Sequence, residues 1–231
     1  MTRRDRLSVL RAILGAGAVP TFTPLDPGAA RRVVLACLDG GAPVIEVTNR
    51  SAGILPMFRA LADWARDEVP DAILGVGSIY DAPTAALFID AGAEFVVSPI
   101  LSPEVARLCN RRRIAYLPGC GTATEISEAE VLGAEIIKLF PAAAFDGAAF
   151  IRGILGPSPL TRLMPTNVEA TEDATRRWFA AGAACVGVGG QLVSDDLQAD
   201  ADPSALVGRV RTYMGWVRDA RAPRAAAAPC S

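Results

Sequence analysis

The 231-residue sequence contains no histidine. Without an imidazole, a catalytic triad with histidine, a cysteine–histidine pair and a histidine-ligated metal are all excluded. The five cysteines form no CxxC pair, and the acidic residues do not cluster in a way that indicates a carboxylate metal site. Any general acid or base in this chain must therefore be another type of side chain.

Lysine is almost absent as well. Of the 23 basic residues only Lys138 is a lysine, and all the others are arginines. Lys138 lies in the apolar segment 136–140 (IIKLF), where burying an ammonium group costs several kcal/mol unless it is paired or deprotonated. The position predicts a reactive amine. The alternatives are a structural ion pair with Glu46 and a side chain that extends to solvent from a strand end.

Long basic runs and long apolar runs are also missing. The net charge is −2 and the longest basic run is 111–113, which argues against a nucleic-acid surface. No stretch is long and apolar enough to cross a bilayer, so we expect no membrane association. The segment 1–20 mixes acidic and basic residues before its apolar part and favours a first helix over a signal peptide. We expect a cytoplasmic protein.

Short apolar segments alternate with longer amphipathic ones along the chain, as in βα units of a parallel sheet. This repetition predicts an α/β protein with a (β/α)8 TIM barrel; a doubly wound open sheet is the second choice. The eight predicted strands are 16–23, 43–49, 72–79, 95–100, 114–119, 135–140, 162–166 and 184–190.

Amphipathic segments between these strands predict helices, and Gly41, Gly92 and Gly182 lie where three of them should end in a left-handed residue. With no linker in the sequence, we expect one barrel domain over residues 1–220 and a disordered tail over 221–231. The predicted helices include 28–40, 53–67, 81–91, 102–112, 122–132 and 171–181.

The active site of a TIM barrel forms at the carboxyl ends of its strands. In strand 135–140, the period of two places Lys138 on the same face as Ile136 and Phe140. Barrel interiors favour branched apolar side chains, so an inward charge indicates chemistry. Desolvation and a nearby arginine would lower the pKa of this lysine and yield the neutral amine that a Schiff-base nucleophile requires.

The same period places Glu46 on one face with Val44 and Thr48, so Glu46 and the lysine both point into the barrel. In the absence of histidine, Glu46 is the predicted general acid/base. Arg50 is predicted to hold a substrate carboxylate, with a solvated loop residue as the alternative. Ser78 could bind the same carboxylate or simply occupy a turn. Cys120 is better explained as a free buried cysteine than as a site residue.

These residues lie in motifs that resemble the 2-keto-3-deoxy-6-phosphogluconate (KDPG) and 4-hydroxy-2-oxoglutarate (KHG) aldolases, over roughly residues 5–215. The family's Glu-x-Thr-x-Arg segment is similar to 46–50, and its Gly-x-Gly-Thr motif is similar to 75–78, with serine for threonine. Ser98-Pro99, Pro118-Gly119 and Lys138-Leu139-Phe140-Pro141 follow in family order and spacing.

The resemblance implies a class I pyruvate aldolase, a carbon–carbon lyase that forms a homotrimer and needs no metal or other cofactor. It implies that Lys138 forms the Schiff base and that Glu46 shuttles the proton. Arg50 and Ser78 would bind the carboxylate of pyruvate. The substrate-binding residues would further include Pro99, Phe140 and Thr166.

The sequence departs from the family at its phosphate-binding end. Residues 165–168 read Pro-Thr-Asn-Val where the family has Pro-Thr-Gly-Gly, and Gly189-Gly190 replaces Gly-Ser. Glycines there allow a nest of N–H groups, and Val168 does not favour positive φ. A 4-hydroxy-2-oxo acid other than KDPG is therefore the predicted substrate. Alternatives are a genuine KDPG aldolase with a shifted loop, a phosphate-binding isomerase barrel, and an inactive barrel that acts in binding or assembly.

Overall fold

The computed structural model describes residues 3–222. The nine strands in this range are β1 Ala18–Phe22, β2 Val44–Thr48, β3 Ile73–Gly77, β4 Phe95–Val97, β5 Ala115–Leu117, β6 Gly119–Cys120, β7 Ile137–Leu139, β8 Leu163–Pro165 and β9 Val186–Val188. The ten α-helices of the same range are α1 Arg6–Ala16, α2 Pro27–Asp39, α3 Ile54–Glu68, α4 Ala82–Asp90, α5 Pro103–Arg112, α6 Ala123–Val131, α7 Gly147–Leu155, α8 Glu172–Ala180, α9 Asp195–Ala199 and α10 Ser204–Arg221.

Every paired strand is parallel to its neighbour. One sheet has the order β5-β4-β3-β2-β1-β9, and a second has the order β6-β7-β8. Pro118, which has no backbone N–H, separates β5 from β6 in the chain. The two sheets also meet at a bridge between Thr166 and Gly187. The molecule is thus an α/β protein whose parallel six-stranded sheet forms half of a barrel.

The strand predictions are confirmed, since each of the eight predicted segments contains an observed strand. The main differences are at the carboxyl ends. The strand predicted at 95–100 ends at Val97; the Ser98 N–H still donates to the Leu117 carbonyl at 3.2 Å, and Pro99 then has no N–H to continue the ladder. The strand predicted at 114–119 is divided at Pro118, and its second part extends to Cys120.

The six predicted helices are present as well, within about one residue at each end. Five of the six start at a side-chain cap, for example the Asp26 carboxylate, which accepts from the Ala29 N–H at 2.8 Å, whereas α3 follows Gly53 without one. Their predicted ends are confirmed at three glycines: φ is 89° at Gly41, 107° at Gly92 and 101° at Gly182. Only glycine takes these values without a steric penalty, so these positions set where the next strand begins.

The core has two parts. The larger part packs the helices against the outer faces of the strands. The smaller lies inside the curved sheet and includes Val44, Phe95 and Ile136 together with Val9 and Ile13 of α1. Because these strand residues stand at or just before the amino ends of β2, β4 and β7, α1 covers that end of the space inside the curved sheet. The carboxyl ends of the strands are left for a site.

Among the described residues, no helix is long and apolar enough to cross a membrane. The domain boundary predicted after residue 220 falls one residue before the end of α10 at Arg221. Residues 223–231, most of the predicted tail, lie outside the described residues, as does Cys230.

Candidate active site

Glu46 projects from the middle of β2 toward the inside of the curved sheet, where it is only 2% exposed. Its neighbour on the same face, Val44, belongs to the inner core, whereas Ile45 and Val47 belong to the outer core, which confirms the predicted alternation. The Thr21 hydroxyl of β1 donates to Glu46 Oε2 at 3.4 Å. The carboxylate is therefore held from the β1 side.

Lys138 projects inward from β7, and 5% of it is exposed. Ile136 lies in the inner core and Ile137 and Leu139 in the outer core, as predicted. The Nζ atom lies 4.9 Å from the centroid of the Phe140 ring. In the part of the chain that the structure describes, no carboxylate oxygen lies within 4.0 Å of this nitrogen. The structural ion pair with Glu46 is therefore not formed.

The surroundings of Lys138 favour its neutral form. Burial lowers the pKa of Lys138 from its ordinary value of 10.5, and the positive charge of Arg50 lowers it further. The Glu46 carboxylate opposes both effects by favouring the protonated form. Burial is the largest of the three influences, so the amine is more nucleophilic near neutral pH than an exposed lysine would be.

Arg50 follows β2 and is exposed at the rim of the site. Its Nε donates to the hydroxyl of Ser78 at 2.9 Å. Ser78 takes a left-handed conformation, with φ of 61°, and this turns the chain beyond β3 toward Arg50. The terminal guanidinium nitrogens of Arg50 make no hydrogen bond within residues 3–222. These two nitrogens can therefore donate together to a carboxylate in a bidentate arrangement.

These residues surround a cavity of about 370 Å³ at the carboxyl ends of the strands. The volume lies in the range of ligand-binding pockets. Of the predicted residues, five line the cavity: Glu46, Arg50, Lys138, Phe140 and Thr166.

Two predicted substrate-binding residues are placed differently. Within the described part of the chain, neither Ser78 nor Pro99 is among the residues that line the cavity. Ser78 reaches it through Arg50, whereas the backbone of Pro99 packs against Gly119: a Cβ on Gly119 would lie 2.3 Å from the Pro99 carbonyl oxygen. Cys120 is a free, buried cysteine as predicted, and burial raises its pKa to about 12.

The altered loops form another part of the wall. Asn167 adopts a left-handed conformation with φ of 60°, whereas Val168 is 4% exposed and does not need positive φ. Gly189 and Gly190 also line the cavity. The loop thus needs a left-handed backbone conformation only at position 167, and asparagine tolerates that conformation better than most residue types other than glycine.

Sequence reasoning missed four polar lining residues, Thr21, Thr23, Asp195 and Gln198, and three apolar ones, Phe22, Gly187 and Val193. Thr21 and Thr23 alternate along the first strand, so the period of two could have identified them. Thr23 shares a hydrogen bond of 2.6 Å with Thr48. Asp195 and Gln198 belong to the short helix after β9, where no periodic pattern points to a cavity. No cluster of potential metal ligands was found in residues 3–222.

Comparison with known proteins places this site in a family. The model of the KDPG and KHG aldolases matches residues 14–207. A 2-dehydro-3-deoxy-phosphogluconate aldolase of Pseudoalteromonas atlantica is 32% identical over 72% of this chain and 75% of its own length. The KHG/KDPG aldolase of Escherichia coli is 31% identical over 71% of this chain and 75% of its length.

The fold agrees with these matches. The structure of a KDPG aldolase from Legionella pneumophila, with pyruvate captured as a covalent carbinolamine, superposes with a TM-score of 0.80 at 23% identity, over 91% of this chain and 98% of that one. The chain belongs to the KDPG and KHG aldolase family. It is a carbon–carbon lyase, an aldolase.

Proposed function

We propose that the protein is a class I aldolase that reversibly cleaves a 4-hydroxy-2-oxo acid to pyruvate and an aldehyde, with Lys138 as the Schiff-base residue. The observation that carries the proposal is a lysine 5% exposed, without an ion pair in the described chain, facing a polar cavity. A structural lysine would be paired or would reach solvent.

In the proposed reaction, the neutral amine of Lys138 adds to the C2 ketone, and loss of water gives an iminium ion. The Glu46 carboxylate takes the proton of the C4 hydroxyl, directly or through water. The C3–C4 bond then breaks, its electrons move toward the iminium nitrogen, and the aldehyde leaves. The remaining enamine takes a proton at C3, and water releases pyruvate from Lys138.

The carboxylate of the 2-oxo acid is assigned to Arg50. Its free terminal nitrogens suit bidentate binding, and Ser78 fixes the side chain through the 2.9 Å hydrogen bond from Nε. Ser78 then acts on binding by positioning Arg50. Phe140, whose ring lies near Nζ, and Thr166 complete the pyruvate end of the cavity.

We also propose that the two sheets form one closed (β/α)8 barrel and that three copies form a homotrimer. Closure is supported by the chain continuing from β5 through Pro118 to β6, and by the Thr166–Gly187 bridge from the end of β8 to β9. The trimer follows from family membership. Analytical ultracentrifugation of the full chain tests it, and a monomer would refute it.

For the aldehyde half, we propose a partner other than the phosphorylated one of KDPG, because the loop at 165–168 and Gly190 depart from the family pattern. A genuine KDPG aldolase is the second candidate. This candidate is favoured by the similarity of the chain to aldolases named for phosphogluconate substrates. It is also favoured by Gly189 and Gly190, which line the cavity and leave room for a phosphate near their backbone.

Borohydride reduction with pyruvate, followed by mass spectrometry of peptides, tests the Schiff base. Since Lys138 is the only lysine, the α-amino group is the one competing amine, and peptide mapping separates the two. We expect one adduct, on Lys138, absent in Lys138→Arg, which keeps the charge but has no nucleophilic amine. An unmodified Lys138 in active enzyme would refute the mechanism; absence of both adduct and activity would favour a binding or assembly protein.

A further inference from the structure

Gln198 carries an unused acceptor beside the cavity. Its side chain is 1% exposed and lines the cavity, and its Oε1 atom is buried without a hydrogen-bond partner in the described chain. Its Nε2 donates to Asp195 Oδ1 at 3.4 Å. Because a carboxylate can only accept, this contact directs the NH₂ group toward Asp195 and leaves the carbonyl oxygen as the free group.

An unsatisfied buried carbonyl costs free energy, so it points to a missing donor. The backbone that carries Gln198 is fixed: Arg32 of α2 donates from its NH2 atom to the Gln198 carbonyl oxygen at 3.0 Å. Arg32 does not itself line the cavity, as far as the described residues show. This hydrogen bond holds the backbone of Gln198 at the wall. The Oε1 atom itself is buried just behind the cavity surface, and a rotation of the side chain would bring it to a substrate hydroxyl.

Asp195 adds a negative charge to the same wall. It lines the cavity and forms no salt bridge with any arginine or lysine of the described chain. A phosphate dianion beside it would be repelled and would compete with it for the same donors. A hydroxyl group, in contrast, can donate to the carboxylate or to Gln198 Oε1.

The cavity has room for such a group. Its volume of about 370 Å³ corresponds to at least a dozen water-sized groups of about 30 Å³ each. Pyruvate is small, with six covalently bonded non-hydrogen atoms, and leaves most of that space free. The part of the substrate that leaves as the aldehyde has room in the remainder.

We propose that Asp195 and Gln198 determine specificity by accepting hydrogen bonds from hydroxyl groups on the aldehyde half of the substrate, and that they select an uncharged polyhydroxylated aldehyde over its phosphate ester. The assignment rests on the proposed aldolase function and narrows its substrate class. Neither residue touches the C3–C4 bond, so both act on recognition of the aldehyde and leave pyruvate binding unchanged.

The test is aldol addition of pyruvate to three acceptors of equal carbon length: glyceraldehyde, glyceraldehyde 3-phosphate and propanal. Wild type should have the highest kcat/KM with glyceraldehyde. Gln198→Leu should lower kcat/KM for glyceraldehyde about tenfold, the loss expected for one hydrogen bond, and leave propanal unchanged. Asp195→Asn should raise kcat/KM for the phosphate severalfold. The matched control is Asp196→Asn. The carboxylate of Asp196 is exposed one residue further along the chain and is not among the described residues that line the cavity.

A tenfold or greater preference of wild type for glyceraldehyde 3-phosphate would overturn the inference. So would an equal loss with propanal in Gln198→Leu, or equal effects of Asp195→Asn and Asp196→Asn. If Gln198→Leu does not fold, the two aspartate variants decide alone. Borohydride trapping of pyruvate in every variant separates this result from failure of the aldolase chemistry, because trapping depends on Lys138 and not on the aldehyde.

Discussion

Gly77 determines where the carboxylate of Glu46 can lie. A Cβ at Gly77 would stand 1.7 Å from Glu46 Oε1 and 2.5 Å from its Cδ. Ordinary contact begins at 3.4 Å, so in Gly77→Ala the carboxylate oxygen must move by about 1.7 Å, the difference between 3.4 and 1.7. The backbone of Gly77 is not left-handed, so alanine fits β3 itself and the strain falls on Glu46.

A displacement of this size should disable proton transfer. Misplacing a reacting group by about 1 Å costs about 100-fold in rate, which corresponds to about 2.7 kcal/mol in the activation free energy. We expect kcat of Gly77→Ala to fall at least 100-fold in a steady-state assay of aldol cleavage. Pyruvate should still be trapped on Lys138 by borohydride, because β7 and the lysine are unchanged.

The matched control is Gly153→Ala in α7, where a Cβ would meet no atom within 4 Å. This variant should keep full activity and gain about 0.5–1 kcal/mol in the free energy of unfolding, since alanine is the better helix former. A folded Gly77→Ala enzyme with kcat within twofold of wild type would show that the position of Glu46 does not limit the reaction.

Three further substitutions probe the pyruvate end. Lys138→Met should abolish turnover and raise the melting temperature. Burial lowers the pKa of Lys138 in the folded state, so the wild-type protein gains stability as the pH rises toward the unfolded pKa near 10.5. Calorimetry should therefore show that the difference in melting temperature between Lys138→Met and wild type becomes smaller over that range. Arg50→Lys should raise KM for the oxo acid about 10- to 100-fold through loss of bidentate pairing, with kcat less affected; an unchanged KM would contradict its assigned role. Thr21→Val removes the hydroxyl that donates to Glu46 and should lower kcat by about 2- to 10-fold at constant KM; equal loss in pyruvate trapping would point instead to a misfolded site.

Much of the fold follows from the sequence, because periodicity and glycine placement are local properties. Gly41, Gly92 and Gly182 mark helix ends from the sequence alone, and the backbone has positive φ at each. Strand ends are less certain, since they depend on partners. β4 ends at Val97, two residues before Pro99, which has no N–H to donate to the neighbouring strand.

The inward face of the site was also predictable, since a period of two determines which side of a strand each residue occupies. Glu46 and Lys138 were placed together from that rule, and both line one cavity. The loop residues could not be placed in this way. Gln198 lines the cavity only because α9 packs beside α2, where Arg32 holds its backbone, and contacts between residues 166 positions apart leave no local pattern in a sequence.

The near absence of lysine fits the chemistry at residue 138. Elsewhere in the described chain arginine serves where a permanent charge is useful, as in the pair between Arg4 and the buried Glu94 or the contact of Arg6 with Glu135. An arginine at position 138 would remain protonated at any pH the protein meets, because its pKa exceeds 12, and could not attack a ketone. An ion pair would likewise hold the ammonium form. Lys138 has neither a permanent charge nor a partner carboxylate within 4.0 Å in residues 3–222, so this costly placement supports the proposed role of Lys138 as a neutral amine.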